Sequence, residues 1–430
     1  MTFFIHTFGC QMNVNDSEKM ASLLSRNGFA PASRVEDAGV VIVNTCAVRA
    51  KARDKAFSYI GRLKPEQIVV LAGCVAQAER RELLRRWRRI DYIVGTHQFY
   101  RLAEIVSDLV EKRERGAALG FSRGWTELVP ENASRSSRVT AYISIMEGCD
   151  NFCSYCIVPF TRGREKNRPA RDILAEARQL ADQGFRELVL LGQNVNHWID
   201  PHSGETFSWL LDRLASEVDV RWIRFITSYP GYHDPRLVDV VFAHENIARH
   251  VHFPAQSGST RILRRMNRIY SREEYLEIID RYRQRIPDMK FSSDFIVGFP
   301  AETEADFLDT LSLMRRVEYE SVFSFAYSPR PLSRAGDWPD DVSGEVKKDR
   351  LQRLQRLQEE IQLRNNRERI GREIEVLVMH PHPVAAGEVV GRTEGYRVVN
   401  FPSSAAPGSI CRVRVTGAGP HSLRAEEAGA

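Results

Sequence analysis

Three times before residue 75, an apolar run closes on Gly or Thr and then a cysteine: FFIHTFGC at Cys10, VVIVNTC at Cys46 and IVVLAGC at Cys74. Continuous apolar runs separated by helix-like stretches predict a parallel sheet with helices on its faces. Ligands of such sheets gather outside the carboxyl ends of the strands. Residues 1–115 are therefore expected to form a parallel-sheet α/β domain in which the three thiols converge. Three inert buried cysteines are the plainer alternative, but the recurrence of strand-then-cysteine argues against it.

Residues 116–137 are rich in Gly and Ser and read as a linker. Beyond it, from 138 to 368, strand-like runs alternate with helix-like stretches such as RDILAEARQLADQG and REEYLEIIDRYRQRI. The runs are VTAYISIMEGC, ELVLLGQN, VRWIRFITSYP, RHVHFPAQSG, KFSSDFIVGFP and YESVFSFAYSP. Six such units suit a TIM-like partial (β/α)6 barrel with its site at the strands' carboxyl ends. A long polar helix follows, with Leu351, Leu354, Leu357 and Ile361 as its apolar stripe. The tail, 369–430, carries short strand-like runs with Gly/Pro punctuation and predicts a small β-barrel of a kind that often binds nucleic acid. Cys411, inside one of those runs, reads as a small core residue.

Within the barrel segment, EGCDNFCSYCIVPFTRG places Cys149, Cys153 and Cys156 on one loop. No secretory signal and no apolar run of the roughly 18 residues that span a bilayer are present, so a cytoplasmic, reducing setting without membrane contact is expected. There, seven cysteines in a chain of 430 residues are ligands or catalysts rather than a disulfide framework. Three closely spaced thiolates suit three corners of a cubane iron–sulfur cluster, with one iron left open. A structural zinc site in an RNA-binding protein without catalysis is the alternative, but zinc asks for four ligands and each set offers three. Tyr155 beside the third cysteine favours a cofactor site. Polar groups at strand ends are candidates to orient that cofactor: Gly192, Gln193, Ser228, Gln256, Ser257 and Asp294. The formal charge of +5 is unevenly spread. It concentrates in RRELLRRWRR (Arg80 to Arg89) and in residues 346–372, where nine Lys/Arg stand against four Asp/Glu. Solvated helix faces are the ordinary reading of such runs, and RNA phosphates the functional one.

The CxxxCxxC spacing resembles the signature of radical S-adenosylmethionine (SAM) enzymes. Over nearly its whole length the chain resembles their methylthiotransferase family: three separated cysteines, a radical SAM barrel, then a TRAM domain. The resemblance implies two [4Fe–4S] clusters, one on Cys149, Cys153 and Cys156, the other on Cys10, Cys46 and Cys74. It also implies SAM at the open iron, cleaved to a 5′-deoxyadenosyl radical, and conversion of a C–H bond to C–S–CH3. The motifs FGCQMNVNDSE, NTCAVRAKARDK and GCVAQAER look most like the branch that acts on N6-isopentenyladenosine 3′ of a tRNA anticodon. Gln11 and Met12 depart from the Pro-Lys and Lys-Val of the branches acting on a ribosomal protein and on threonylcarbamoyl-adenosine. Within that motif Gln11 and Asn13 are candidate substrate contacts. Implied partners are the tRNA anticodon stem-loop, a low-potential flavodoxin-like electron donor and a sulfur donor. Leu332, Ser333 and Arg334 stand where the branch commonly has Gly-Thr-Pro, and Phe295 and Ala301 where Ile and Gly are usual.

Overall fold

The computed structural model describes residues 1–430 except 48, 49, 123, 126, 127, 132, 133, 429 and 430, and except the side chains of 50 and 51. Two residues of the NTCAVRAKARDK motif, five of the expected linker and the last two of the tail therefore lie outside the described residues.

Strands β1 (Thr2–Phe8), β2 (Ala30–Pro31), β3 (Val40–Thr45), β4 (Ile68–Gly73), β5 (Tyr92–Val94) and β6 (Gly116–Ala118) make one parallel sheet, ordered β2-β1-β3-β4-β5-β6. Every residue of β3 and β4 is buried, which is why both read as unbroken apolar runs. In register, Phe8 lies opposite Thr45, and Thr45 opposite Gly73. The three cysteine-bearing strands therefore end level with one another. The sheet also runs past residue 115: 116–118, expected in the linker, pair with β5 as its sixth strand. A Gly-Ala-Ala run lacks the branched side chains that mark a strand in sequence.

The central part holds β7 (Thr140–Ser144), a short antiparallel pair β8 (Met146–Glu147) and β9 (Lys166–Asn167), and then β10 (Glu187–Leu191), β11 (Trp222–Phe225), β12 (His250–His252), β13 (Lys290–Val297) and β14 (Ser321–Ala326). Two parallel three-stranded sheets, β7-β10-β11 and β12-β13-β14, are joined by a bridge between Ile223 and Ile247. The arc is a six-stranded partial barrel, filled and flanked by a large apolar core. The tail forms a closed five-stranded barrel from β15 (Glu373–Pro381), β16 (Glu388–Arg392), β17 (Val398–Pro402), β18 (Ile410–Ala418) and β19 (Ser422–Glu427). Among these, β19 carries polar residues at alternate positions and was not evident from sequence.

The helix Gly344–Arg367 is capped by Ser343, whose hydroxyl accepts from the Val346 amide. Its stripe buries Leu354 and Ile361 and half-buries Leu351 and Leu357. Five of the nine cations of 346–372 pair within the protein: Lys347 with Asp340, Arg350 with Glu302, Arg353 with Glu304, Arg364 with Glu318 and Arg369 with Glu320. These side chains dock the helix onto the central barrel, so they are not free for phosphates. Lys348, Arg356, Arg367 and Arg372 remain exposed, as do Arg80, Arg81, Arg85, Arg86 and Arg88 of the other basic stretch.

One buried carboxylate fastens the terminal barrel. Glu320, just before β14, accepts from Arg397 Nε at 3.0 Å and from both terminal nitrogens of Arg369 at 3.0 Å. Burial raises its carboxyl, but Arg397 and Arg369 outweigh burial and hold it at about 2. A depressed carboxyl stabilises the fold above the ordinary glutamate range near pH ~4.3, and that stability is lost as pH falls from there toward 2. Glu320→Gln leaves two guanidiniums without their anion, a loss of about 3–5 kcal/mol for a broken buried pair. The variant is expected to release the terminal barrel to limited proteolysis at pH 7 and to lose less stability than wild type between pH 4.3 and 2. A wild-type digestion pattern would sink this account of docking.

Candidate active site

Cys10, Cys46 and Cys74 each follow a strand end at once or after one residue, so the level ends of β1, β3 and β4 bring them together. Gly9 precedes Cys10 because a Cβ there would lie 2.2 Å from Asn13 Oδ1. Cys10 caps the helix Gln11–Arg26, its amide donating to Asn13 Oδ1 at 3.2 Å. Cys46 is fixed by its amide, which donates to the Phe8 carbonyl at 2.9 Å. Gly73, with φ of 92°, turns the chain so that Cys74 opens a helix. A Cβ at Gly73 would stand 2.4 Å from Asn44 Oδ1 and 2.7 Å from the Thr45 carbonyl. Only glycine satisfies both constraints.

The second set lies on the loop after β8. Gly148, φ 83°, approaches the Arg164 carbonyl so closely that a Cβ would sit 2.1 Å from it. Its amide donates to Gln193 Oε1 at 2.6 Å, and the Cys149 amide donates to the Gly163 carbonyl at 3.1 Å. These bonds hold Cys149, Cys153 and Cys156 at the carboxyl ends of β7 and β10.

A buried guanidinium stands against each set. Arg162, 3% exposed, donates from NH2 to Asp16 Oδ2 at 2.5 Å, while its NH1 is buried with no partner. Its positive charge acts on Cys10 and Cys74. The Cys10 thiol is drawn down to about 6, first by its hydrogen bond with Cys46, with Arg162 assisting against burial. Burial pushes Cys74 up, and Cys149 up to about 12. Arg268, 8% exposed, donates to Cys153 Sγ at 3.5 Å and lies 4.2 Å from the Tyr229 ring centroid. Taking a guanidinium out of water requires an anionic or polar partner. Two triads of thiols, each facing a buried cation, fit anionic iron–sulfur clusters that lack a fourth protein ligand.

One cavity of about 360 Å³ joins the two sets. Its walls include Cys10, Cys46, Cys149, Cys153 and Cys156, with Gln11, Tyr155, Gly192, Gln193, Ser228, Gln256 and Asp294 among the residues singled out from sequence. Ser228 Oγ is buried there without a partner. Gln193 doubles as the prop of the cysteine loop. Gln256 is held at φ 68°, a conformation that persists only where its surroundings fix it. Three expected residues do not line the cavity. Cys74 is buried behind Arg162. Ser257 is turned away, its hydroxyl facing Thr310 Oγ1 at 3.5 Å and the Ser259 amide at 3.2 Å. Asn13 is wholly buried and bonds Cys10 and Asn44, so it shapes the thiol site from behind rather than facing a substrate. Arg162, Arg268, Tyr229, His250, His252 and Tyr396 escaped the sequence reading. Arg162 does stand six residues after Cys156 in a motif already singled out, a signal that was available.

Three family models match in this order: Uncharacterized protein family UPF0004 over 2–95, the Radical SAM superfamily over 143–314, and the TRAM domain over 367–427. The fold resembles that of the radical S-adenosylmethionine methyltransferase TsrM from Kitasatospora setae, with a TM-score of 0.56, 14% identity, and coverage of 78% of this chain and 74% of that one. Fold and site together define a radical SAM enzyme with an iron–sulfur cluster and a terminal RNA-binding type of barrel. The chain is 43% identical to the tRNA-2-methylthio-N(6)-dimethylallyladenosine synthase of Geotalea uraniireducens (strain Rf4), over 98% of each chain. It is 40% identical to that of Geobacillus thermodenitrificans (strain NG80-2), over 99% of this chain and 83% of the relative. It belongs to the tRNA-2-methylthio-N(6)-dimethylallyladenosine synthase family.

Gly73→Ala tests the built geometry of the first thiol set. Forcing a Cβ into a left-handed position without space is expected to lower stability by about 1–3 kcal/mol, seen as a reduced melting temperature of the metal-free protein. An unaltered melting temperature would falsify the claim that the Cys46–Cys74 corner has no slack.

Proposed function

We propose that this protein converts N6-dimethylallyladenosine 3′ of the tRNA anticodon into its 2-methylthio derivative, using two [4Fe–4S] clusters and SAM. The observation that carries this reading is the single cavity onto which thiols of both sets open. Cys149, Cys153 and Cys156 would hold the cluster that serves SAM. Cys10, Cys46 and Cys74 would hold the other, which would supply the sulfur. When bound, these groups supply the electron that cleaves the sulfonium, the radical that takes hydrogen from the base, and the methylthio group itself.

The chain's own residues orient and enclose. Gly192 lets this part of the cavity wall pack tightly against Met146, since a Cβ there would meet the Met146 side chain at 2.4 Å. Ser228, with its unpartnered hydroxyl, together with Gln256 and Asp294 offers hydrogen bonds to SAM. Gln11, beside Cys10, faces the substrate. Arg162 and Arg268 balance cluster charge without water. Met12, Leu191 and Ile226, packed together beside Cys10, give the shared cavity an apolar wall that limits water near the reacting carbon.

In this reading the N-terminal sheet, which runs on through 116–118, carries the sulfur-bearing cluster, the segment from there to 137 crosses to the radical SAM barrel of 138–368, and 369–430 grips the tRNA. The exposed arginines between Arg80 and Arg88 add phosphate contacts. A single-stranded anticodon loop presents its adenosine without opening a duplex. A low-potential flavodoxin-like protein supplies electrons, and a separate donor restores the sulfur.

The direct test is iron and sulfide content of anaerobically prepared protein, with mass spectrometry of nucleosides from tRNA incubated with SAM and reductant. About eight irons per chain and a methylthio gain on dimethylallyladenosine are expected. Cys153→Ala is expected to abolish deoxyadenosine formation, and persistence of that product would refute the assignment of the Cys149–Cys156 loop. Cys46→Ala is expected to retain deoxyadenosine formation while methylthiolation stops and iron falls to about half. A methylthiolating Cys46→Ala variant would remove the N-terminal set from the chemistry.

A further inference from the structure

The same cavity continues away from the cysteine loop, down the axis of the partial barrel. Ser292 and Ser321 line it near the starts of β13 and β14, level with His252, and His250, the first residue of β12, lines it two residues further toward the strand starts, opposite Lys290. There a residue of the terminal barrel enters: Tyr396, from the turn between β16 and β17, is part of the wall. The floor of the catalytic cavity is thus contributed by a different domain, more than 200 residues along the chain from Cys149, Cys153 and Cys156.

Several features show that this floor is built. Arg224 of β11, 1% exposed, donates from Nε to Glu187 Oε1 at 2.6 Å, from NH2 to the Thr393 carbonyl at 3.0 Å and from NH1 to the Glu394 carbonyl. Its guanidinium also lies 4.6 Å from the Tyr396 ring centroid. The Arg249 amide donates to Glu394 Oε1 at 2.9 Å. Tyr396 itself is held at φ 71°, a left-handed conformation that a bulky aromatic residue rarely adopts and that clusters at functional sites. His250 is 6% exposed, its ring centroid is 5.7 Å from that of Tyr396, and its Nε2 is buried with no hydrogen-bond partner. Burial first, then Arg224, holds its imidazole down to about 3, so it is neutral at pH 7 and has one donor and one acceptor nitrogen. A neutral imidazole with a free nitrogen, beside a strained aromatic ring in a continuous cavity, awaits a planar heteroaromatic group.

We propose that His250 and Tyr396 form a floor subsite that receives the N6-substituted adenine of the target nucleoside, so that the terminal barrel shapes the catalytic cavity as well as holding RNA. The inference rests on the proposed function. The reacting carbon must lie between Cys10 and Cys46 on one side and the Cys149–Cys156 loop on the other, which leaves the remainder of the base directed at this floor. Aromatic contact with a base is sequence-tolerant in general, whereas a hydrogen bond from a fixed imidazole selects for the ring nitrogens of a purine.

The test uses the full-length, cluster-loaded protein and an anticodon stem-loop RNA carrying N6-dimethylallyladenosine. Tyr396→Gly removes the ring and relieves the left-handed backbone, so its melting temperature is expected at or above that of wild type. Its KM for the RNA is expected to rise about tenfold or more, with a smaller change in kcat. His250→Leu is expected to raise KM likewise, and His250→Gln, which retains hydrogen bonding, to recover much of the loss. An active wild type alongside variants with wild-type KM overturns the subsite and leaves the proposed function standing. A wild type inert toward the RNA overturns the proposed function and the subsite with it.

Discussion

The level ends of parallel strands are the constraint on which the rest depends. In a parallel sheet all carboxyl ends point the same way, so residues just beyond them meet without any local sequence relation. Here the register of β1, β3 and β4 does this for Cys10, Cys46 and Cys74. The partial barrel repeats the device for the Cys149–Cys156 loop and for Gly192, Ser228 and Gln256. Helix Gln11–Arg26 then sets one sheet against the other: Asn15 donates to the Tyr142 carbonyl at 3.2 Å and accepts from Ser144 at 2.7 Å. Two strand-end sites become one cavity because a single helix touches both.

Charge is the second constraint, and it follows from the first. Gathering five thiols in a water-poor cavity, with a sixth at Cys74 buried nearby, is unfavourable for thiolates unless cations accompany them. Arg162 and Arg268 are those cations, each buried and each held by groups from another part of the chain. Arg162 follows the barrel's cysteine loop yet bonds Asp16 in the N-terminal domain and acts on that domain's thiols. The guanidinium therefore ties the two thiol sets together electrostatically as well as sterically. Elsewhere the same device recurs: Glu320 fastens the terminal barrel through ion pairs with Arg397 and Arg369 that would be weak at the surface, and Arg224, paired with Glu187 on the neighbouring strand, donates to the Thr393 and Glu394 carbonyls of that barrel.

Much of this was legible beforehand where the signal is local. Unbroken apolar runs announced β3 and β4, and the short cysteine spacing announced its loop, because both depend on neighbours in sequence. The signals that failed are instructive. Ser257 lies in the loop beyond β12, where the left-handed turn at Gln256 precedes it and its hydroxyl faces Thr310 and the Ser259 amide instead of the cavity. Asn13 was read as a substrate contact from its motif, whereas its side chain closes the cap on Cys10. The basic stretch of 346–372 suggested RNA, yet its partners Glu302, Glu304, Glu318 and Glu320 are carboxylates far away in the sequence. A charge pattern does not reveal whether its counter-charges belong to the protein.

The sequence by itself determined the parts: three domains in order, two sets of three cysteines, and the chemistry that such thiols support. The segments and the cysteine sets follow from periodicity and spacing, which are properties of short stretches, while the chemistry at both sets is what the resemblance to the methylthiotransferase family implies. Only the tertiary structure decided that both sets open onto one cavity, that buried arginines stand beside them, and that Tyr396 of the terminal barrel enters the floor beside His250. The physical reason is that strand register, helix packing and ion pairing between distant residues fix distances and orientations in space, and no local pattern in the chain encodes them.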